Sequence, residues 1–151
     1  MIRDDIKAAT VAAMKSGDKA LVGTLRMVQA AIKNRDIEAR TGGAPADDDQ
    51  LVVEVLQKMI KQRRESAEAY RKGGREDRAE AEEAEIAAIE RFLPAQMSDE
   101  EARAAISAII AETGASAIKD MGRVMAEVKA RHSGALEPAR ASALVKEMLG
   151  G

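Results

Sequence analysis

The sequence predicts an all-α protein: a long-helix N-terminal bundle followed by a small three-helix C-terminal subdomain. Three observations carry that expectation. Apolar residues recur at spacings of three and four along nearly the whole chain. The breaks between these periodic stretches hold helix-start and helix-stop chemistry. The alternating runs of Val, Ile, Thr and aromatic residues that strands require are missing.

The first stripe is Ile2, Ile6, Ala9, Ala13 and Met14, and it stops at Gly17. Asp18 can cap a second helix with Leu21, Leu25, Val28 and Ile32 on its inner stripe, ending near Arg40. Residues 41–46 then form a flexible loop containing Gly42, Gly43 and Pro45. Asp47 followed by Gln50 is a capping signal for the long helix, which carries Val52, Leu56, Met59, Ile60, Arg63, Ala67 and Tyr70 near one stripe. About 26 residues at 1.5 Å each make it roughly 39 Å long. It should stop at Gly73 and Gly74. Residues 76–93 form a fourth helix whose acidic first half is expected to project into solvent, with Ile86, Ile89 and Leu93 packing the second half.

Pro94 then ends the N-terminal part, because proline lacks an N–H and disfavours the α region for the residue before it. Ser98 with Glu101 three residues on is a capping box, and Asp99 and Glu100 add negative charge where the helix dipole favours it. Residues 94–97 are therefore read as a joint between an N-terminal subdomain, 1–93, and a C-terminal one, 98–151. The C-terminal helices carry Ala102, Ile106, Ile109 and Ile110; then Ile118, Met121, Val124, Met125 and Val128; then Ala141, Leu144, Val145, Met148 and Leu149. Pro138 suits the first position of the last helix.

Composition narrows the function. The chain has 151 residues, a net charge of −2, one Phe, one Tyr, no Trp and no Cys. Without cysteine there are no disulfides and no thiolate ligands or nucleophiles, which fits a reducing compartment. Charged residues near the start give no sign of a signal peptide, and no apolar run approaches the ~20 residues of a membrane helix. These features point to a soluble cytoplasmic protein. One histidine, His132, cannot build a zinc site alone. No phosphate-binding glycine motif is present, and the acidic pairs lie in polar runs that read as solvated helix faces. No catalytic residue, metal or cofactor is assigned.

Two basic clusters remain. Lys61, Arg64, Arg71, Lys72 and Arg75 avoid the apolar stripe of the long helix, with Glu65 and Glu68 among them as helix-stabilising partners. Lys119, Arg123, Lys129, Arg131, His132 and Arg140 form the second cluster, and they are the stronger candidates for contacting phosphates. Gly122 sits among them. A helix-interior glycine costs about 1 kcal/mol against Ala, so close approach of another helix, or else of a ligand backbone, is expected there.

Several segments resemble the GatB/YqeY proteins: residues 25–34 (Leu25 to Asn34), Lys61-Gln62-Arg63, Gly74-Arg75-Glu76-Asp77, Ala84-Glu85-Ile86, Phe92 to Ser98, and Lys119 to Met125. Their order covers essentially the whole chain. The family includes free-standing members and is related to the tail domain of the B subunit of the tRNA-dependent amidotransferase. The resemblance implies a two-part helical protein and a non-catalytic tRNA-associated accessory module. Transfer from the family would suggest a carbon–nitrogen ligase using glutamine, for which these residues supply no chemistry without a partner. The alternative is a protein adaptor that binds an amidotransferase, a synthetase or another partner through the long helix. After Met125 the chain departs from the family pattern, which has a Met-Pro-Lys segment and a Gly-Arg-Ala-Asp-Gly turn where this chain runs from Ala126 to Ala135.

Overall fold

The computed structural model describes residues 1–150, and these contain seven α-helices, one short 3-10 turn and no strand. They fall into two compact units, Met1–Leu93 and the stretch from Pro94 onward.

The first unit holds α1 (Ile2–Ser16), α2 (Lys19–Ala39), α3 (Asp48–Lys72) and α4 (Glu76–Glu90). Gly17 closes α1 at φ 75°, a left-handed cap that costs glycine no Cβ clash. Asp18 caps α2 by accepting from the Leu21 N–H at 3.1 Å. Asp47 caps α3 through the Asp49 N–H at 3.2 Å, one residue short of the Gln50 partner that the spacing suggested. Helix α3 packs against all three neighbours, so its first half is buried on more than one side: Leu51, Val53 and Val55 are inside together with Val52, Leu56, Met59 and Ile60, while Lys58 stays exposed. Fully burying a side chain such as Leu56 contributes about 1.5–3 kcal/mol, and this cluster, with Ile6, Val28, Ile32 and Ile89, is the unit's core.

Two expectations change here. Helix α4 ends at Glu90 rather than near 93, because Phe92 and Leu93 donate to the carbonyls of Ile89 and Glu90 in tight three-residue turns. Its first half does not stand free. Ala79 is fully buried against α3, and Arg71 holds Glu76 and Glu83 across the α3–α4 hairpin.

Arg3 locks three helices together. Its guanidinium donates to both Asp36 oxygens at 2.8 and 2.9 Å and to both Asp48 oxygens at 2.8 and 3.2 Å. Beside it, the Ile2 N–H donates to Asp49 at 3.0 Å.

The second unit holds α5 (Asp99–Thr113), the 3-10 turn Ile118–Asp120, α6 (Met121–His132) and α7 (Pro138–Gly150). The three helices pack pairwise around Ile106, Ile109, Val124, Val128, Leu144 and Val145. The Ser98–Glu101 capping box forms with both bonds in place. Leu136, in the α6–α7 turn, is also core. The segment before α5 is fastened to this unit. The Met97 N–H donates to the Ala135 carbonyl at 2.9 Å, and the Gln96 amide donates to the Gly134 carbonyl at 2.6 Å. Ile118, expected to face inward, is 45% exposed because the 3-10 turn rotates it off the α6 stripe.

Candidate interaction surfaces

The six C-terminal candidates lie on or near α6 and at the start of α7, and most are engaged within the chain. Arg123 pairs with Asp120 at 3.1 Å. Arg131 pairs with Glu112 at 2.7 Å and with Glu127 at 3.0 Å, and Glu112 chiefly raises its pKa. Arg140 donates to the Met97 carbonyl at 2.6 Å and pairs with Asp99, whose carboxyl it holds below the usual range. His132 is half-buried at the end of α6, and its carbonyl accepts from the Ala135 and Leu136 N–H groups. Lys119 and Lys129 are exposed.

Nothing crowds Gly122. A Cβ built there meets no atom within 4 Å, so the close helix approach expected at this glycine is not present among the described residues. The Asp120 carboxylate that holds Arg123 also accepts from the Ser116 and Ala117 N–H groups, and the Ser116 bond is the main reason it lies below the usual range.

The long-helix candidates are likewise engaged. Arg64 lies 3.9 Å from Glu90, Arg71 holds Glu76 and Glu83, Lys72 pairs with Glu68 at 3.2 Å, and Arg75 pairs with Asp77 at 3.1 Å. Lys61 is exposed. Such exposed pairs contribute little to stability, but each sets an acid beside the cation and weakens the local positive potential.

Positive charge without an ion pair lies elsewhere, along α2 and its C-terminal cap, although Arg40 is close enough to Asp36 to help Arg3 hold that carboxyl below its usual range. Lys19, Arg26, Lys33 and Arg40 are all exposed and form no ion pair among the described residues. The Arg26 guanidinium reaches only the Met14 sulfur, at 3.6 Å. Sequence reading concentrated on the inner stripe of this helix. The signal it passed over is the seven-residue spacing of these four cations.

The carboxylates with resolved shifts, Asp36, Asp77, Asp99, Glu101 and Asp120, are all held below their usual range, by Arg or by backbone N–H groups. A carboxylic acid that donates a proton near neutral pH needs the opposite shift. No group of three or more His, Cys, Asp or Glu among the described residues is arranged to hold a metal, and no helix there is long and apolar enough to cross a membrane.

These features define an all-helical protein with a highly charged surface built on two small hydrophobic cores. Residues 3–149 match the family model described as Yqey-like protein, and the chain belongs to that family. It is 34% identical over 94 residues to an uncharacterized protein of Schizosaccharomyces pombe, covering 62% of this chain and 73% of that one. It is 31% identical over 143 residues to a Pyrenophora tritici-repentis protein named altered inheritance of mitochondria protein 41, mitochondrial, covering 91% of this chain and 75% of the relative. The Eremothecium gossypii protein of the same name is 32% identical over 94 residues, covering 62% of this chain and 48% of its own length. Those names overturn the cytoplasmic expectation. Its grounds were weak in physical terms: a chain without cysteine makes no redox demand, so it cannot distinguish one compartment from another.

Proposed function

We propose that this protein is a non-catalytic binding module that acts as an adaptor between proteins. One observation carries this reading. The basic side chains best placed by sequence to meet phosphates are held largely by acids of the same chain, as in Arg123–Asp120, Arg131–Glu112 and Arg140–Asp99. Phosphate binding would have to displace those acids and would gain correspondingly less from counterion release. With one Phe, one Tyr and no Trp, there is also little to stack on unpaired bases. The partner is a protein, with an amidotransferase or a synthetase as candidates suggested by the family resemblance. The names of the mitochondrial relatives suggest looking for it in that setting.

A second reading keeps the tRNA-associated role. Lys119 and Arg123 flank the exposed, uncrowded Gly122 at the start of α6, where backbone N–H groups and cations could meet a phosphate.

One experiment separates the two. The full chain is purified at native level and its associated molecules are identified, alongside a titration against total tRNA at two salt concentrations with duplex RNA as control. Recovery of one protein at 1:1 stoichiometry without RNA is the expected result. Binding that prefers tRNA and is lost on charge reversal at Arg123, Lys129 and Arg131 refutes the adaptor reading in favour of the second.

A further inference from the structure

The outer face of α2 repeats every seven residues. Ala20, Gly23, Met27, Ala30, Asn34 and Ile37 follow one another at alternating spacings of three and four, and all six are exposed. This is the a/d seam of a coiled coil, in a helix whose opposite side is already buried through Leu25, Val28 and Ile32. Among the described residues no helix packs over the seam; only the Arg63 guanidinium reaches its edge, 3.9 Å from the Met27 sulfur. Met27 and Ile37 are 44% and 48% exposed. A Cβ at Gly23 would meet nothing within 4 Å, so no contact inside the described structure requires a glycine in the middle of this helix. Gly23 stands between two shallow grooves, one lined by Ala13 and Met14 of α1, the other by Ala81, Ala84 and Ala88 of α4.

The charges beside the seam identify what fits it. Lys19, Arg26, Lys33 and Arg40 occupy successive positions on one flank, each immediately before an a position. The other flank is Thr24, Ala31 and Glu38. Most nearby acids are bonded elsewhere: Asp36 to Arg3, though it also feels Arg40, Asp18 to the α2 cap, and Glu85 to Arg63 at 2.9 Å; Glu38 alone stands exposed on the opposite flank. In coiled coils, flanking charges of this kind select partner and orientation. An antiparallel second copy would set cation against cation, and a parallel one would give only Lys33 an acid, Glu38, so an acidic helix satisfies this flank better than a second copy of the chain.

We propose that the outer face of α2 docks one amphipathic helix of a partner protein, apolar along its inner stripe and acidic along the edge that meets Lys19, Arg26, Lys33 and Arg40. This rests on the adaptor reading and specifies its surface. The small residues Ala20, Gly23 and Ala30 let the partner backbone approach closely, and Met27 and Ile37 supply the larger apolar contacts. From Ala20 to Ile37 the seam is about 26 Å long at 1.5 Å per residue, which matches a partner helix of about five turns.

The test titrates the full-length protein with a synthetic 21-residue helical peptide carrying Leu at a and d and Glu at e and g. The controls are the same peptide with Lys at e and g, and single-stranded polyadenylate RNA. The acidic peptide should bind at least about tenfold more tightly than the basic one, and less tightly as salt rises. Arg26→Glu/Lys33→Glu should weaken the acidic peptide about tenfold and reverse the preference, while circular dichroism and melting temperature hold. Ala30→Lys should weaken the peptide, because it blocks the seam, although it adds a cation.

Equal binding of both peptides, or an Ala30→Lys protein that binds the acidic peptide and RNA more tightly, overturns the seam and leaves a plain polyanion surface. If the double reversal retains the 1:1 protein partner while the peptide fails to bind, the seam is wrong and the adaptor reading stands. If no protein partner is recovered at all, the adaptor reading itself fails.

Discussion

Replacing Arg3 by Met keeps most of the aliphatic stem and removes the guanidinium that joins α1, α2 and α3. Two two-pronged ion pairs are lost, to Asp36 and to Asp48. The carboxylates are 38% and 33% exposed, so water screens both and each pair is held to the upper end of the surface range, about 1 kcal/mol. Arg3→Met should therefore cost about 1–2 kcal/mol at pH 7. At roughly 4–8 °C per kcal/mol for a unit of this size, the melting midpoint falls by about 4–16 °C. The pH dependence has a definite sign. Arg3 holds the Asp36 carboxyl below its usual range, so this stabilisation is present above the unfolded value of about 4 and is lost as pH falls through the lower folded value. The difference between wild type and variant should be full at pH 6–7 and shrink below about pH 4. Urea titrations at pH 7 and pH 3, followed by fluorescence of Tyr70, the only tyrosine, report on the first unit. A variant as stable as wild type at pH 7, or a gap that persists undiminished at low pH, refutes the reasoning.

Three further outcomes follow from the structure. Ile106→Ala, which empties a fully buried site in the second unit, should cost about 2–5 kcal/mol and leave the Tyr70 transition of the first unit where it was. Gly122→Ala, at an uncrowded helical position, should raise the thermal midpoint of the second unit by an amount corresponding to about 0.5–1 kcal/mol; a loss of stability would show a close contact that this structure lacks. Ser98→Ala removes the acceptor for the Glu101 N–H and should cost about 1 kcal/mol, read as a drop in the urea midpoint followed by circular dichroism.

Local chemistry was the most legible part of the sequence. Ser98 with Glu101, Asp18 before α2, and Gly17 after α1 act through atoms a few residues away, and each does in the structure what its position suggested. Helix stripes were legible where one face is buried. They misled where burial is not one-sided. Leu51, Val53 and Val55 fall off the α3 stripe yet are core, because the first half of α3 is covered on more than one side. Ile118 continues the α6 stripe in sequence, but a 3-10 turn has three residues per turn and carries it out to solvent. Charge was least legible. Local acids were foreseen for α3, where Lys72 does pair with Glu68, but counting placed the cations of α6 and α7 as an available surface, and availability depends on which acids fold beside them. Glu112 meets Arg131 from a different helix, and Asp99 meets Arg140 from 41 residues away. Lys19, Arg26, Lys33 and Arg40 looked no different in the sequence, and only the fold shows that among the described residues none of them forms an ion pair, Arg40 sensing Asp36 from farther off.

The short strap ahead of α5 bears on how the chain is cut for study. A fragment beginning at Ser98 would retain the α5 cap and all three helices. It would also strip the Ala135 carbonyl of its Met97 donor, the Gly134 carbonyl of its Gln96 donor, and Arg140 of the Met97 oxygen it grips. All three losses fall on the α6–α7 connection and the first turn of α7, so such a fragment would be expected to loosen at the end far along the sequence from the cut. An expression boundary placed at Pro94 keeps the strap and its anchoring bonds together.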